Sequence, residues 1–212
     1  MNKGIYHIYN RTLDRAPIFN DSFLCSIFLE RLSYYLPTHT YIKYSLFHKM
    51  KNNYLYLASN TKGTHKHVDL LAYCIMPNHF HLLVKQNNDN GVSKYLSQVM
   101  NSFTKYYNIQ NERNGSLFHS PFKCVEIRSD EQLLHVSRYI HLNPYTASIV
   151  QKKEEIALYP WSSFSAYING HPTNVPLDIQ HILSYFQYKR EWYSDFVINN
   201  SEYQKRLHRK SK

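Results

Sequence analysis

The chain reads as an α+β protein with helices packed on an antiparallel sheet. Two apolar runs, residues 68–76 and 79–86, flank the turn dipeptide Pro77-Asn78, so they form two strands joined by a tight reversal. Segments with apolar residues every three or four positions stand on either side of this hairpin, and each has a face to bury. Beyond about residue 170 the helical pattern continues without strand signals and ends in a basic run, Lys205-Arg206-Leu207-His208-Arg209-Lys210.

In chain order, residues 5–12 alternate, with Tyr6, Ile8 and Asn10 on one face and Ile5, His7 and Tyr9 on the other, which predicts a first strand. Asn20 or Asp21 offers an N-cap to Phe23, Leu24, Ile27, Phe28, Leu29 and Leu32, a helix running to about Leu36 before Pro37. Residues 38–66 sustain no period and read as an insertion. Within it 41–47 and 54–57 each fit a short strand or a helical turn. Its lysines, Lys43, Lys49, Lys51, Lys62 and Lys66, suit phosphate contacts or a solvated loop face.

After the hairpin, Val92, Leu96, Val99, Phe103 and Tyr107 give a helix over about 92–111 one buried face, and Asn114-Gly115 breaks the chain behind it. Residues 117–127 read as another strand despite Pro121. Asp130 is the expected N-cap of a helix over 131–142 with a core stripe of Leu133, Val136 and Ile140. Residues 159–167 read as a loop entering a short helix, and 177–186 and 191–206 as two more helices.

With 212 residues there is room for one substantial domain and an appendage, and a hydrophobic fraction of 43% supports a real core. A formal net charge of +10 points to a polyanionic partner. Tyrosine, at 20 residues, is unusually frequent, and aromatics interleaved with Lys and Arg suit stacking on unpaired bases as well as packing. Cys25, Cys74 and Cys124 fall singly, which argues against a disulfide framework and a cysteine zinc site and favours a reducing compartment. With no signal-peptide core and no membrane-length apolar run, the expected location is the cytoplasm.

The chemistry starts at His79 and His81. Side chains alternate along a strand, so these two imidazoles share one face while Phe80 and Leu82 share the other. Such a pair either lines a solvated sheet face or begins a metal site, for which neutral imidazole is a suitable ligand. Further on, Tyr139 and Asn143 are four residues apart, one above the other on a single helix face. They offer a nucleophile and a third ligand. Alternatively Tyr139 is a packing residue and Asn143 caps a following helix over 144–150, with Pro144 in its first position. His141 points away from the Tyr139 side.

Together, Tyr73-x-x-Met76-Pro77-Asn78-His79-Phe80-His81-Leu82-Leu83 and Tyr139-Ile140-His141-Leu142-Asn143-Pro144 resemble the two signatures of the single-tyrosine HUH transposases, most closely the REP-associated tyrosine transposases. The resemblance extends from Tyr6-His7-Ile8-Tyr9-Asn10-Arg11 to Trp161-Ser162-Ser163. It implies a ferredoxin-like antiparallel sheet in a catalytic domain over 1–168, with a helical basic extension over 169–212. It also implies action on single-stranded DNA bearing a hairpin, by a monomer or homodimer, through a covalent 5′-phosphotyrosine. Residue by residue, the metal falls on His79 and His81, the nucleophile on Tyr139, and help in ligating or orienting the metal on Asn143. Mg2+ or Mn2+ is the implied cofactor, although nitrogen ligands alone would favour softer ions such as zinc.

Arg11, Lys123 and Arg128 are the candidate DNA contacts. Relatives tend to carry an arginine after the Leu-Phe pair, where this chain has Leu117-Phe118-His119, so a contact made there is lost or passes to Lys123. Two other functions compete: a single-stranded nucleic-acid-binding sheet that does not cut, and a metal-dependent hydrolase. The hydrolase is disfavoured because Leu82, Leu83 and Val84 follow the pair and the nearest downstream acid is Asp89, in a loop.

Overall fold

A computed structural model describes residues 4–39, 42–49, 65–171, 173 and 175–210, with 208–210 as backbone only. Strands β1 (Ile5–Arg11), β2 (Val68–Met76), β3 (His79–Gln86) and β4 (Lys123–Ile127) form one sheet in the order β2-β3-β1-β4, every pair antiparallel. Helix α1 (Ser22–Tyr34) joins β1 to β2, and α3 (Gly91–Gln110) joins β3 to β4. A βαββαβ chain with its first strand central and its second and fourth strands at the edges is the ferredoxin-like arrangement.

The sheet is covered on both sides. Ile8, Phe80, Leu82 and Val84 bury against α1 and α3, where Phe28 lies 5.0 Å from Phe80, ring to ring. On the opposite face Leu71, Cys74 and Leu83 pack under α4 (Asp130–Thr146), together with Ile182, Leu183, Tyr193 and Val197 from the C-terminal region. That region contributes α5 (Phe164–Asn169), α6 (Gln180–Leu183), α7 (Arg190–Ile198) and α8 (Ser201–Lys210). Since β2 is covered from both sides, its sequence is apolar without a break from Leu70 to Met76, and only Asp69 near its start is polar. Edge strand β4 is largely exposed.

Local chemistry accounts for several boundaries. Asp21 caps α1, its Oδ1 accepting from the Phe23 amide at 2.8 Å. Phe23, expected in the core stripe, is instead 55% exposed in the first turn. The strand expected over 117–127 begins only at Lys123. Pro121 has no N–H for a ladder, and the segment before it makes a single bridge, Thr12 to Phe118, while burying Leu117 and Phe118.

Ser129, not Asp130, caps α4, accepting from the Gln132 amide at 3.1 Å. The helix also runs on through Asn143 and Pro144 to Thr146, so Asn143 caps nothing. A proline in the last turn removes few hydrogen bonds, and the Ala147 amide closes the end on the Asn143 carbonyl. The helix expected over 191–206 divides at Asn199-Asn200 into α7 and α8. Part of the insertion forms a helical turn, α2 (Tyr44–Phe47), whereas 54–57, Lys51 and Lys62 lie outside the described residues.

His141 lies on the buried side of α4, away from Tyr139. Its Nδ1 is 2.7 Å from the Tyr193 hydroxyl and its Nε2 2.8 Å from Ser163 Oγ, and Ser163 Oγ also accepts from the Tyr73 amide at 2.9 Å. This network ties α4, β2, the entrance to α5 and α7 together. Burial pushes the imidazole down to about 3, so it stays neutral in the folded chain while the unfolded chain protonates it below about 6.5. The neutral form's contribution is therefore complete above pH 6.5 and is lost as pH falls from 6.5 toward 3, at up to about 1.4 kcal/mol per pH unit. Urea midpoints should fall between pH 7 and 5, and less steeply in His141→Gln. A wild-type midpoint that stays constant over that window would contradict the neutral, buried assignment.

Candidate functional site

Strand register assembles the site. Cys74, His81, Tyr9 and Lys123 form one cross-strand row, and Met76, His79 and Arg11 the next. Helix α4 packs mainly over β2 on this face, and β4 is largely exposed. The result is a cavity of about 970 Å³ lined by His7, Tyr9, Arg11, His79, His81 and Tyr139 among others. His79 and His81 stand with ring centroids 5.1 Å apart and planes nearly perpendicular. From α4, the Tyr139 ring lies 5.5 Å from His81, edge to face. Asn143, one turn later, lines the same cavity and donates its Nδ2 to the Tyr139 carbonyl at 2.9 Å.

Both imidazoles are held by neighbours. His79 Nδ1 donates to Asn78 Oδ1 at 2.7 Å, which leaves the lone pair on Nε2. His81 Nδ1 and His7 Nε2 share one hydrogen at 3.0 Å. Burial pushes His7 down to about 4 and, helped by the nearby His79, His7 and Arg11, holds His81 well below the ordinary histidine value, which favours the neutral form of both. The Tyr139 phenol is raised by burial, while an Asn143 side-chain hydrogen bond and the Arg11 charge act in the opposite direction. The backbone around it is anchored from α8 as well, where Gln204 Nε2 donates to the Tyr139 carbonyl at 3.2 Å.

The donor set fits a divalent cation that completes its shell with water or substrate oxygens. Two imidazole nitrogens and an amide oxygen are suitable ligands. Among the described residues no group of three His, Cys, Asp or Glu side chains gathers to hold an ion, and no carboxylate lines the cavity. Arg11, Arg15 and Lys123 make the lining electropositive instead. Such a pocket suits a cation and a phosphodiester arriving together better than a cation alone.

The structure thus brings His79, His81, Tyr139, Asn143, Arg11 and Lys123 to one cavity. Arg128 stands apart at the end of β4, its side chain 82% exposed and its Nε 3.4 Å from Glu126 Oε2. His119 also lines the cavity. Sequence reasoning gave no role to His7 or Tyr9. Their alternation with Ile8 put them on a common face, but their approach to His81 depends on β1–β3 register, a contact some 70 residues distant along the chain.

A ferredoxin-like sheet carrying a histidine pair beneath a helix tyrosine, in a basic cleft, has the makings of a nucleic-acid-processing domain. The chain belongs to the IS200-like transposase family, whose sequence profile matches residues 28–143, more than half of its length. A solved structure of a REP-associated tyrosine transposase bound to a REP hairpin is similar, with a TM-score of 0.55 and 14% identity, covering 84% of this chain and 88% of that one. At that identity the likeness concerns the fold. No functionally curated protein matches the chain. Among the described residues, no helix is long and apolar enough to cross a membrane.

Proposed function

We propose that this protein cleaves and rejoins single-stranded DNA bearing a hairpin, with Tyr139 as nucleophile, working in the cytoplasm with Mg2+ or Mn2+. The observation that carries the reading is the convergence of Tyr139 with His79 and His81 on one basic cavity. In cleavage the Tyr139 hydroxyl gives up its proton to solvent as its oxygen bonds to a DNA phosphorus, the bond from phosphorus to the 3′ oxygen breaks, and the departing oxygen takes a proton from solvent to become a 3′-OH. The phosphodiester energy is kept in the 5′-phosphotyrosine, so attack by another 3′-OH rejoins the strand without a nucleotide cofactor.

His79, His81 and the Asn143 amide oxygen would hold the metal. A divalent cation bound there supplies Lewis-acid polarisation of the phosphate and stabilises the charge that develops on its oxygens. Arg11 and Lys123 place the DNA backbone in the cleft, with Arg128 a more distant contact. Residues 1–168 form the catalytic unit in this reading, and 169–212 brace the nucleophile's helix through Gln204 and Tyr193. In this reading the protein acts as a monomer or homodimer.

His7 has a positioning role. If His81 Nε2 faces a cation, its Nδ1 carries the hydrogen and donates to His7 Nε2, which fixes both tautomer and ring orientation. His7→Ala should weaken Mn2+ binding about 10- to 100-fold, read by electron paramagnetic resonance without any DNA present. Unchanged Mn2+ affinity would remove His7 from this role.

The test of the function is incubation of the protein with end-labelled hairpin single strands and Mg2+ or Mn2+, resolved on a denaturing gel. A labelled product that migrates with the protein is expected, and its formation should require the metal. Tight DNA binding with no cleavage under any of these metals would favour a non-cutting binding module.

A further inference from the structure

We propose that Tyr9 is a base-binding residue of this site, stacking on the nucleobase next to the reacting phosphate. The inference rests on the strand-transfer reading and adds to it a named residue for substrate positioning. Tyr9 is the central residue of the row that runs from His81 to Lys123, with its ring 5.7 Å from the His81 ring and 5.2 Å from His7. It is therefore fixed beside the imidazoles, one strand nearer the open side of the cavity. At 37% exposure, it keeps substantial surface in contact with solvent.

Its surroundings point to the ligand. Val125 and Ile149, respectively 44% and 40% exposed, line the same cavity. Single exposed apolar side chains are ordinary on a protein surface. Three in one cleft, with Arg11 and Lys123 also lining it, give it exposed apolar surface together with cationic side chains. A nucleotide has the matching distribution, with a flat apolar base attached to an anionic backbone. A phosphate held between the histidine pair and Arg11 places its neighbouring base over Tyr9, on the side toward Lys123. Stacking of this kind tolerates any base, because each has a π face. Tyr9 then contributes position and affinity, not base identity.

The test uses hairpin single strands that carry 2-aminopurine at each nucleotide flanking the cleaved bond in turn, and matching strands with an abasic residue at the same places. Wild-type protein should quench the probe at one flanking position. Tyr9→Leu should lose the quenching and weaken DNA binding by about five- to 150-fold, whereas Tyr9→Phe and Tyr9→Trp should retain both. On the strand abasic at the quenched position, wild type and Tyr9→Leu should bind equally. Mn2+ affinity, measured without DNA, should be the same in Tyr9→Leu and wild type, which separates a lost stacking partner from a damaged histidine pair. Quenching and binding unchanged in Tyr9→Leu, on a wild-type protein that does form the covalent adduct, would overturn the assignment of Tyr9 alone. A wild-type protein that neither binds nor joins to DNA would overturn the strand-transfer reading, and this proposal with it.

Discussion

Tyr139→Phe is expected to abolish the protein–DNA adduct, a loss of at least about 10³-fold, while hairpin-DNA binding stays close to that of the wild type. The substitution removes one oxygen and keeps the ring, so packing against His81 and His7 survives and the basic lining is untouched. The two readouts therefore separate sharply. The cavity holds a second phenol, Tyr9, and an adduct that persists in Tyr139→Phe would move the nucleophile there or elsewhere. Because burial raises the Tyr139 phenol, the wild-type rate should climb with pH through the neutral range as more of the phenolate becomes accessible.

The second large effect is expected at His81. His81→Gln should lower Mn2+ affinity by about 100-fold or more and reduce adduct formation with it, while the fold persists. The ring is buried, at 5% exposure, between the His7 hydrogen bond and the α4 face. Gln retains most of the volume and a polar end for His7, so a folded variant with a failed metal site is the expected product. Mn2+ affinity equal to that of the wild type would mean that the cation, if one binds, sits elsewhere. His79 is the natural comparison, since its Nδ1 is held by Asn78 on the adjoining turn.

How much of this the sequence discloses follows from the range of the interactions involved. The hairpin strands and α3 were legible almost to the residue, because Pro77-Asn78 and the stripe of Val92, Leu96, Val99 and Phe103 are local signals. His79 with His81, and Tyr139 with Asn143, were legible as pairs because a strand repeats every two residues and a helix nearly every four. Pro144 misled, since a proline at the first turn of a new helix and one in the last turn of an old helix look alike in sequence. The contact between His7 and His81, and the place of Tyr9 beside them, were not legible, because they depend on how β1 registers against β3. The hold of Gln204 on the Tyr139 carbonyl was hidden for the same reason, with the two residues 65 apart in the chain.

The central claim is that one phosphate meets the histidine-held cation and the Tyr139 oxygen in the same cleft. Peptide mass spectrometry of wild-type protein after incubation with a hairpin single strand and Mn2+ tests it most directly. The expected product is a nucleotide joined through its 5′ phosphate to Tyr139, present with Mn2+ and absent when the metal is chelated. A DNA adduct on any other residue, or cleavage that leaves no protein-linked strand, would contradict it.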